Sequence, residues 1–278
     1  MYNVAWVGLS PKGGVNIDLR LHLSCLSDDV LTLQDRIGEL KHPPQAVVFA
    51  PHPDDETIAC GGTICKRVAA GWIVHVVFAT DGSQSHKAVL GIVSQPTPSE
   101  LVGVRAREAI AATSILGVAP ENVTFLHYPD TTLREHEGSF RRVVAEYAGS
   151  VGDVDEVYIP HDRRELNADH CVTGSVAYEE FCSRQGQARV LRYVVWDEQV
   201  ESEFQFCNRP SDVMPMLAGE TLIREDIAPF LATKVAALFE HRSQTELISP
   251  LQNRTVLPNE MVRRLVGRDY EEFWLAGE

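Results

Sequence analysis

The sequence predicts an α/β fold, a parallel sheet covered on both faces by helices. Three observations predict it. From residue 46 onward, short apolar runs alternate with helical stretches, the pattern of repeated βα units with right-handed crossovers. The clusters of ionisable residues fall just after those apolar runs, where open α/β sheets place their ligands. The chain has 278 residues, 44% of them hydrophobic, enough for one large α/β domain or a domain with a smaller appendage.

Residues 1–44 are expected to form an N-terminal extension packed on a main domain at 45–278. Within the extension, 15–21 alternate apolar and polar residues like a short strand. Residues 28–40 carry Val30, Leu31, Leu33, Ile37 and Leu40 at helical spacing, with Ser27 or Asp28 as cap. His42-Pro43-Pro44 breaks that helix. The extension is expected either to narrow a substrate pocket or to mediate assembly into a homo-oligomer.

In the main domain, 47–50 is a buried strand and 56–70 a helix stopped at Gly71. Residues 73–79 are a second strand, rich in β-branched side chains, ending at the turn Thr80-Asp81-Gly82. Residues 82–98 show no period, and a loop of that length is either a functional wall or lid, or a mobile insertion. Residues 99–116 are helical up to Gly117. A third strand (123–126), a helix (138–147), a fourth strand (156–159), a helix (168–185) and a fifth strand (190–196) follow. Beyond about residue 197 the chain reads as an irregular tail of the same domain with one helix at 227–242.

The net charge of -14 argues against a nucleic-acid partner, which calls for a basic face. The six cysteines (25, 60, 65, 171, 182 and 207) are scattered without a CxxC pair and read as mostly reduced, buried thiols. No segment has the roughly 18–20 apolar residues of a membrane span, and the N-terminus lacks a basic region followed by an apolar core. A cytoplasmic location and no membrane partner are the expectation. No GxGxxG, GxSxG or Walker A pattern is present, which argues against a dinucleotide cofactor.

The chemistry concentrates in His52-Pro53-Asp54-Asp55-Glu56, directly after the first strand. His52 and Asp55 stand three apart on a tight turn and can meet at one point as an imidazole and a carboxylate metal ligand. A third ligand is needed, and His170 in Asn167-Ala168-Asp169-His170 arrives from the neighbouring strand end. Asp54, adjacent to Asp55, diverges from it and is placed to take a proton from an activated water. The competing reading is a polar turn with Asp54 or Asp55 as helix cap. His75, inside an apolar strand, reads as a hydrogen-bonded core residue. His86, His127, His136 and His161 have no assigned role. Gly61 and Gly62 read as sites of close helix packing.

His52-Pro53-Asp54-Asp55-Glu56 followed by Gly61-Gly62 resembles the signature of the PIG-L/LmbE-like zinc-dependent de-N-acetylases, over residues 45–245 or so. Thr80-Asp81-Gly82, Arg105-Ala106-Arg107-Glu108 with Leu116-Gly117, Pro129-Asp130, Asp169-His170, and Lys234 with His241, Ser243 and Gln244 are similar to the motifs that follow in that family. The resemblance implies a Rossmann-like fold and removal of an acetyl group from an N-acetylated amino sugar or its conjugate, a small-molecule substrate. It implies Zn2+ on His52, Asp55 and His170, and Asp54 as general base. Asp169 is implied as a partner behind the ligands, Arg105 as a substrate contact or else a structural ion pair on an exposed helix face, and Asp130 as a ligand of sugar hydroxyls. Many members carry a histidine where this chain has Asn167. An asparagine can donate a hydrogen bond to an oxyanion but cannot deliver a proton as imidazolium does. Two alternatives accompany this reading: an amidase of a thiol conjugate or other acyl amide, and a non-catalytic, zinc-holding sugar-binding protein.

Overall fold

The structure is a computed structural model, and it describes residues 42–184, 188–197 and 219–275. The strand and helix expected at 15–21 and 28–40, and the extension up to residue 41, lie outside the described residues.

Among the described residues, seven strands form one sheet in the order β3-β2-β1-β4-β5-β7-β6. β1 (Gln45–Ala50), β2 (Ile73–Thr80), β3 (Val123–Tyr128), β4 (Glu156–Pro160) and β5 (Arg189–Tyr193) are parallel. From β1 the chain first builds outward through β2 and β3, then crosses back to β4 and β5. The reversal puts a crevice at the C-terminal ends of β1 and β4, the switch point at which open sheets bind ligands.

Within the tail, residues 219–275 hold regular strands and helices where an irregular segment was expected. β6 (Thr221–Asp226) and β7 (Tyr270–Leu275) extend the sheet, with β7 antiparallel to both β5 and β6. The expected all-parallel sheet is therefore mixed. These strands, Thr-Leu-Ile-Arg-Glu-Asp and Tyr-Glu-Glu-Phe-Trp-Leu, carry many charges and lack the apolar run that marks a strand buried on both faces.

Helices cover both faces, and the two-residue alternation of the strands sorts the core accordingly. Val48 and Ala50 of β1 and Val76 and Phe78 of β2 face α1 (Asp55–Ala69), α2 (Pro98–Ile115), α5 (Leu231–Glu240) and α7 (Asn259–Val266). Val47, Phe49, Val77 and Ala79 face α3 (Glu137–Ser150) and α4 (Ala168–Arg184), where Phe140, Val144, Val176 and Phe181 are fully buried. The helix expected at 227–242 is a 3-10 turn, then α5, then the short α6 (Arg242–Thr245).

Local chemistry explains where elements begin and end. α1 has Asp55 and Glu56 in its first turn and Lys66 and Arg67 in its last, which complements the helix dipole. Gly71 and Gly117, at φ +83° and +88°, end α1 and α2 in the left-handed conformation glycine adopts without cost. α2 starts on a capping box of Thr97 and Glu100 with Pro98 in its first turn. β5 stops at Tyr193, short of the expected 196, because the N–H groups of Val195 and Trp196 go to the Glu165 carboxylate at 2.6 and 3.0 Å. Residues 82–98 contain a π-helical turn, His86–Leu90.

Gly62 packs as expected: a Cβ there would stand 2.5 Å from Ile227 Cδ1. Cys60 and Cys65 are buried free thiols, but Cys182 is exposed, against the expectation; Cys25 and Cys207 lie outside the described residues. No helix among the described residues is long and apolar enough to cross a membrane.

Candidate active site

The turn after β1 brings His52 and Asp55 together. Asp55 Oδ2 accepts the His52 backbone N–H at 2.9 Å and lies 3.2 Å from His52 Nδ1. α4, entered from β4 across the switch point, delivers His170 Nε2 to within 3.1 Å of the same oxygen and 3.3 Å of His52 Nδ1. The three donors thus form a near-equilateral triangle. A tetrahedral ion with bonds of about 2.0–2.1 Å holds its ligand atoms roughly 3.3 Å apart, so the triangle has the edge length of one tetrahedral face. Asp55 Oδ1 is buried and has no hydrogen-bond partner among the described residues, which fits a carboxylate meant for a cation.

The far nitrogens of both rings are backed by carboxylates, the arrangement that orients histidine ligands. His170 Nδ1 lies 3.2 Å from Glu165 Oε1. His52 Nε2 lies 3.2 Å from Asp130 Oδ1 and 3.4 Å from Asp169 Oδ2. His52, Asp130 and Asp169 form a second conceivable donor group. Those two carboxylates accept backbone N–H groups, as Asp55 Oδ2 also does. Asp169 accepts the N–H groups of Thr131 (2.7 Å) and Leu133 (3.1 Å), and Asp130 accepts that of Gln84 (2.8 Å). The His52–Asp55–His170 triangle, with two imidazoles, is the better cation cage.

The field of the site calls for positive charge. Burial disfavours protonated His170, yet Asp55 and Glu165 overcome it and lift its pKa to about 9. Burial likewise opposes a charged His52, and Asp130, with help from Asp169 and Asp55, raises it all the same. Asp55 is held below the usual carboxylate range, because His170 and His52 outweigh its burial.

Asp54 stands beside this cage and points elsewhere. It occupies the N-terminal boundary of α1 at φ +137°, a conformation that costs a non-glycine residue about 1–3 kcal/mol and clusters at functional sites. Its side chain makes no capping bond, so the helix-cap reading fails for Asp54. Burial pushes its pKa up to about 6 against the pull of Arg105. Arg105 Nη2 lies 3.0 Å from Asp54 Oδ2 and also donates to Pro53 O, while Nη1 donates to Gly82 O at 2.8 Å. Arg105 is only 2% exposed, so the exposed helix face expected for it is wrong: the helix packs this side against the site. Gly82, at φ +62°, leaves the room; a Cβ there would collide with the guanidinium.

The cavity at the site, of about 130 Å³, is lined by His52, Asp54, Asp55, Arg105, Asp130 and Asn167, among others. Asn167 Oδ1 accepts the Asp169 N–H at 2.8 Å, which leaves its NH2 group as a donor on the cavity wall. Asp169, the expected partner behind the ligands, is 1% exposed and holds the Thr131–Leu133 turn.

Sequence reasoning missed Glu165, whose role depends on its contacts with His170 and the end of β5. It also missed Glu56, which accepts from His241 Nε2 at 3.0 Å and from the Asp54 N–H at 3.0 Å. Glu108 accepts the Ser243 N–H (2.8 Å) and Oγ (2.6 Å). The Arg105…Glu108 and His241…Gln244 motifs therefore meet behind Asp54, and that spacing of Arg105 and Glu108 on one helix face was the available signal. His75 bonds Gln45 Oε1 at 3.1 Å as a strand residue should.

Two imidazoles and a carboxylate, with a further carboxylate beside them at the switch point of a Rossmann-like sheet, are a donor set and spare acid of the kind that metal-assisted hydrolases use. Residues 47–181 match the family model described as PIG-L: GlcNAc-PI de-N-acetylase, and the chain carries a PIG-L (LmbE-like) domain. A probable N-acetyl-alpha-D-glucosaminyl L-malate deacetylase 2 of Bacillus anthracis is 24% identical over 242 residues, 85% of this chain and 96% of that protein. The N,N'-diacetylchitobiose deacetylase of Pyrococcus horikoshii has the same fold, with a TM-score of 0.57, 21% identity and coverage of 92% of this chain and 95% of that one. The fold also accommodates a hydratase: the 4-carboxy-2-hydroxymuconate hydratase of Pseudomonas putida KT2440 matches with a TM-score of 0.53 and 20% identity over 84% of this chain and 95% of that one.

Proposed function

We propose that residues 45–278 form a zinc-dependent N-deacetylase that removes acetyl from an N-acetylated amino sugar or its conjugate. The observation that carries it is the triangle of His52, Asp55 and His170 donors at 3.1–3.3 Å, with Asp54 beside it, outside the triangle and held by Arg105. His52, Asp55 and His170 hold the ion. Bound there, zinc supplies a Lewis acid that makes water more acidic and the acetamide carbonyl more electrophilic.

Asp54 takes a proton from the attacking water, at a pKa of about 6 that leaves it mostly ionised near neutrality. The water oxygen adds to the acetamide carbonyl carbon, and Asn167 donates to the oxyanion. Asn167 has no proton to give away, so Asp54 passes the one it holds to the departing nitrogen. The C–N bond breaks, leaving acetic acid and the free amine, which become acetate and an ammonium group by exchange of one proton. Arg105 fixes the direction of the Asp54 carboxylate, and Asp130 and Asp169 fix the ring of His52.

Metal analysis of the purified protein, combined with mass-spectrometric screening of N-acetyl amino sugars and their conjugates, tests this. Loss of one acetyl group from at least one of them, with about one zinc per chain, is the expected result. A panel with other acyl groups and thiol conjugates separates the alternative amidases. Metal bound without hydrolysis of any member overturns the catalytic reading.

A further inference from the structure

We infer that the group attached to the amino sugar is uncharged and apolar, and that it is held by an aliphatic and aromatic wall of the catalytic cavity. This rests on the deacetylase reading and deepens it. The cavity has two unlike sets of lining residues: the acids Asp54, Asp55 and Asp130, and the apolar Ala88, Val89, Trp196, Val256 and Leu257.

A carboxylate or phosphate on the substrate would have to find a cation here. The lining arginine, Arg105, is 2% exposed and committed to Asp54, Pro53 O and Gly82 O. Lys87 is exposed on the π-helical turn, and its neighbours Ala88 and Val89 are the residues that line the cavity. With Asp55 taken up by the ion, an anion would lose its hydration beside Asp54 and Asp130, and no lining side chain among the described residues offers it an uncommitted cation.

The apolar wall is built in advance of any ligand. His86, fully buried, bonds Ser243 O at 3.0 Å, and Arg254 Nη2 donates to Val89 O at 2.8 Å. Leu257 N–H donates to Gln244 O at 2.7 Å. These bonds tie the π-helical turn to the C-terminal segment, so that Val89 and Leu257 line one cavity without having to be ordered by substrate.

Apolar surface continues along the chain on either side of this wall. The loop that leaves the cavity at Gln244 and returns at Val256 exposes Leu247 (58%), Ile248 (37%) and Leu251 (53%), and Val93, just past the π-helical turn, is 56% exposed. Water-exposed aliphatic side chains on segments that also line a cavity are available to an alkyl or aryl aglycone.

Three probes test the inference on the zinc-loaded full chain: N-acetylglucosamine, its octyl glycoside below the micellar concentration, and its malate glycoside. The octyl glycoside should exceed the malate glycoside in kcat/KM by about tenfold or more, mainly through KM, as burial of a few methylenes requires. Val89→Arg should narrow that ratio from both sides, weakening the octyl and strengthening the malate glycoside. A malate glycoside turned over as well as or better than the octyl glycoside overturns the inference. If none of the three loses acetyl, the deacetylase reading fails, and calorimetric titration with the two glycosides still decides: tighter binding of the octyl glycoside upholds the apolar site, and equal or tighter binding of malate removes it.

Discussion

The parallel half of the sheet and the C-terminal segment do different work with similar raw material. Both bury acids against cations. In the parallel half, His52, Asp55 and His170 converge with donor atoms turned toward a common point, and Asp55 keeps an oxygen without a partner. In the C-terminal segment the comparable buried pair is closed off. Lys234 pairs with Glu271 at 2.7 Å with both side chains at most 3% exposed, and Glu271 also accepts the N–H groups of Gly62 and Thr63 at 2.8 Å. A buried charge set left open is a place for a ligand; one that is closed ties elements together. The second set clamps β7 and α5 onto α1, the helix that begins at Asp54.

The comparison breaks most sharply at Asp54. Asp54→Ala should lower kcat by about 10²–10⁴-fold with zinc content and melting temperature nearly unchanged; retained turnover would remove Asp54 from the base role. Next comes the closed set. Lys234→Met strands Glu271 and should cost about 3–5 kcal/mol in urea unfolding, while the zinc affinity of the folded fraction stays near wild type. Adding Glu271→Gln should return part of that loss. An undiminished midpoint in the single variant would show that the pair is not a clamp.

Glu165→Gln probes the shell behind the cage. Zinc affinity, read by competition with a chelator, should fall about 10–100-fold. An unchanged affinity would mean that His170 is oriented by packing alone. The smallest effect is expected at the helix contact. Gly62→Ala drives a methyl into Ile227 and should cost about 1–3 kcal/mol by overpacking, with Ile227→Val relieving part of it. A neutral Gly62→Ala would show that α1 and the turn before α5 can separate freely.

The meeting of His52 and Asp55 was legible because it is local. His52 and Asp55 lie within one turn of each other, and the strand-end rule placed His170 beside them without any knowledge of its side chain. Asp54 was legible for the same reason, since neighbours on a turn diverge. Arg105 was misplaced on an exposed face because α2 has no clear apolar stripe to show which side is inward; its buried side holds Leu101, Ala109 and Ala112 with Arg105 between them. Glu165 and Glu56 carried no local mark. Each is defined by a partner far along the chain, His170 aside: Val195 and Trp196 for one, His241 for the other.

By itself the sequence determined the parallel core, because strands buried on both faces need continuous apolar runs, and it determined the approach of His52 to Asp55, because three-residue spacing constrains geometry locally. Only the tertiary structure decided that β6 and β7 join the sheet, that Arg105 is turned in upon Asp54, and that Val89 and Leu257 share one wall. Those outcomes depend on long-range pairing and on which of several charges meet when water is excluded, and neither is written in the spacing of residues along the chain.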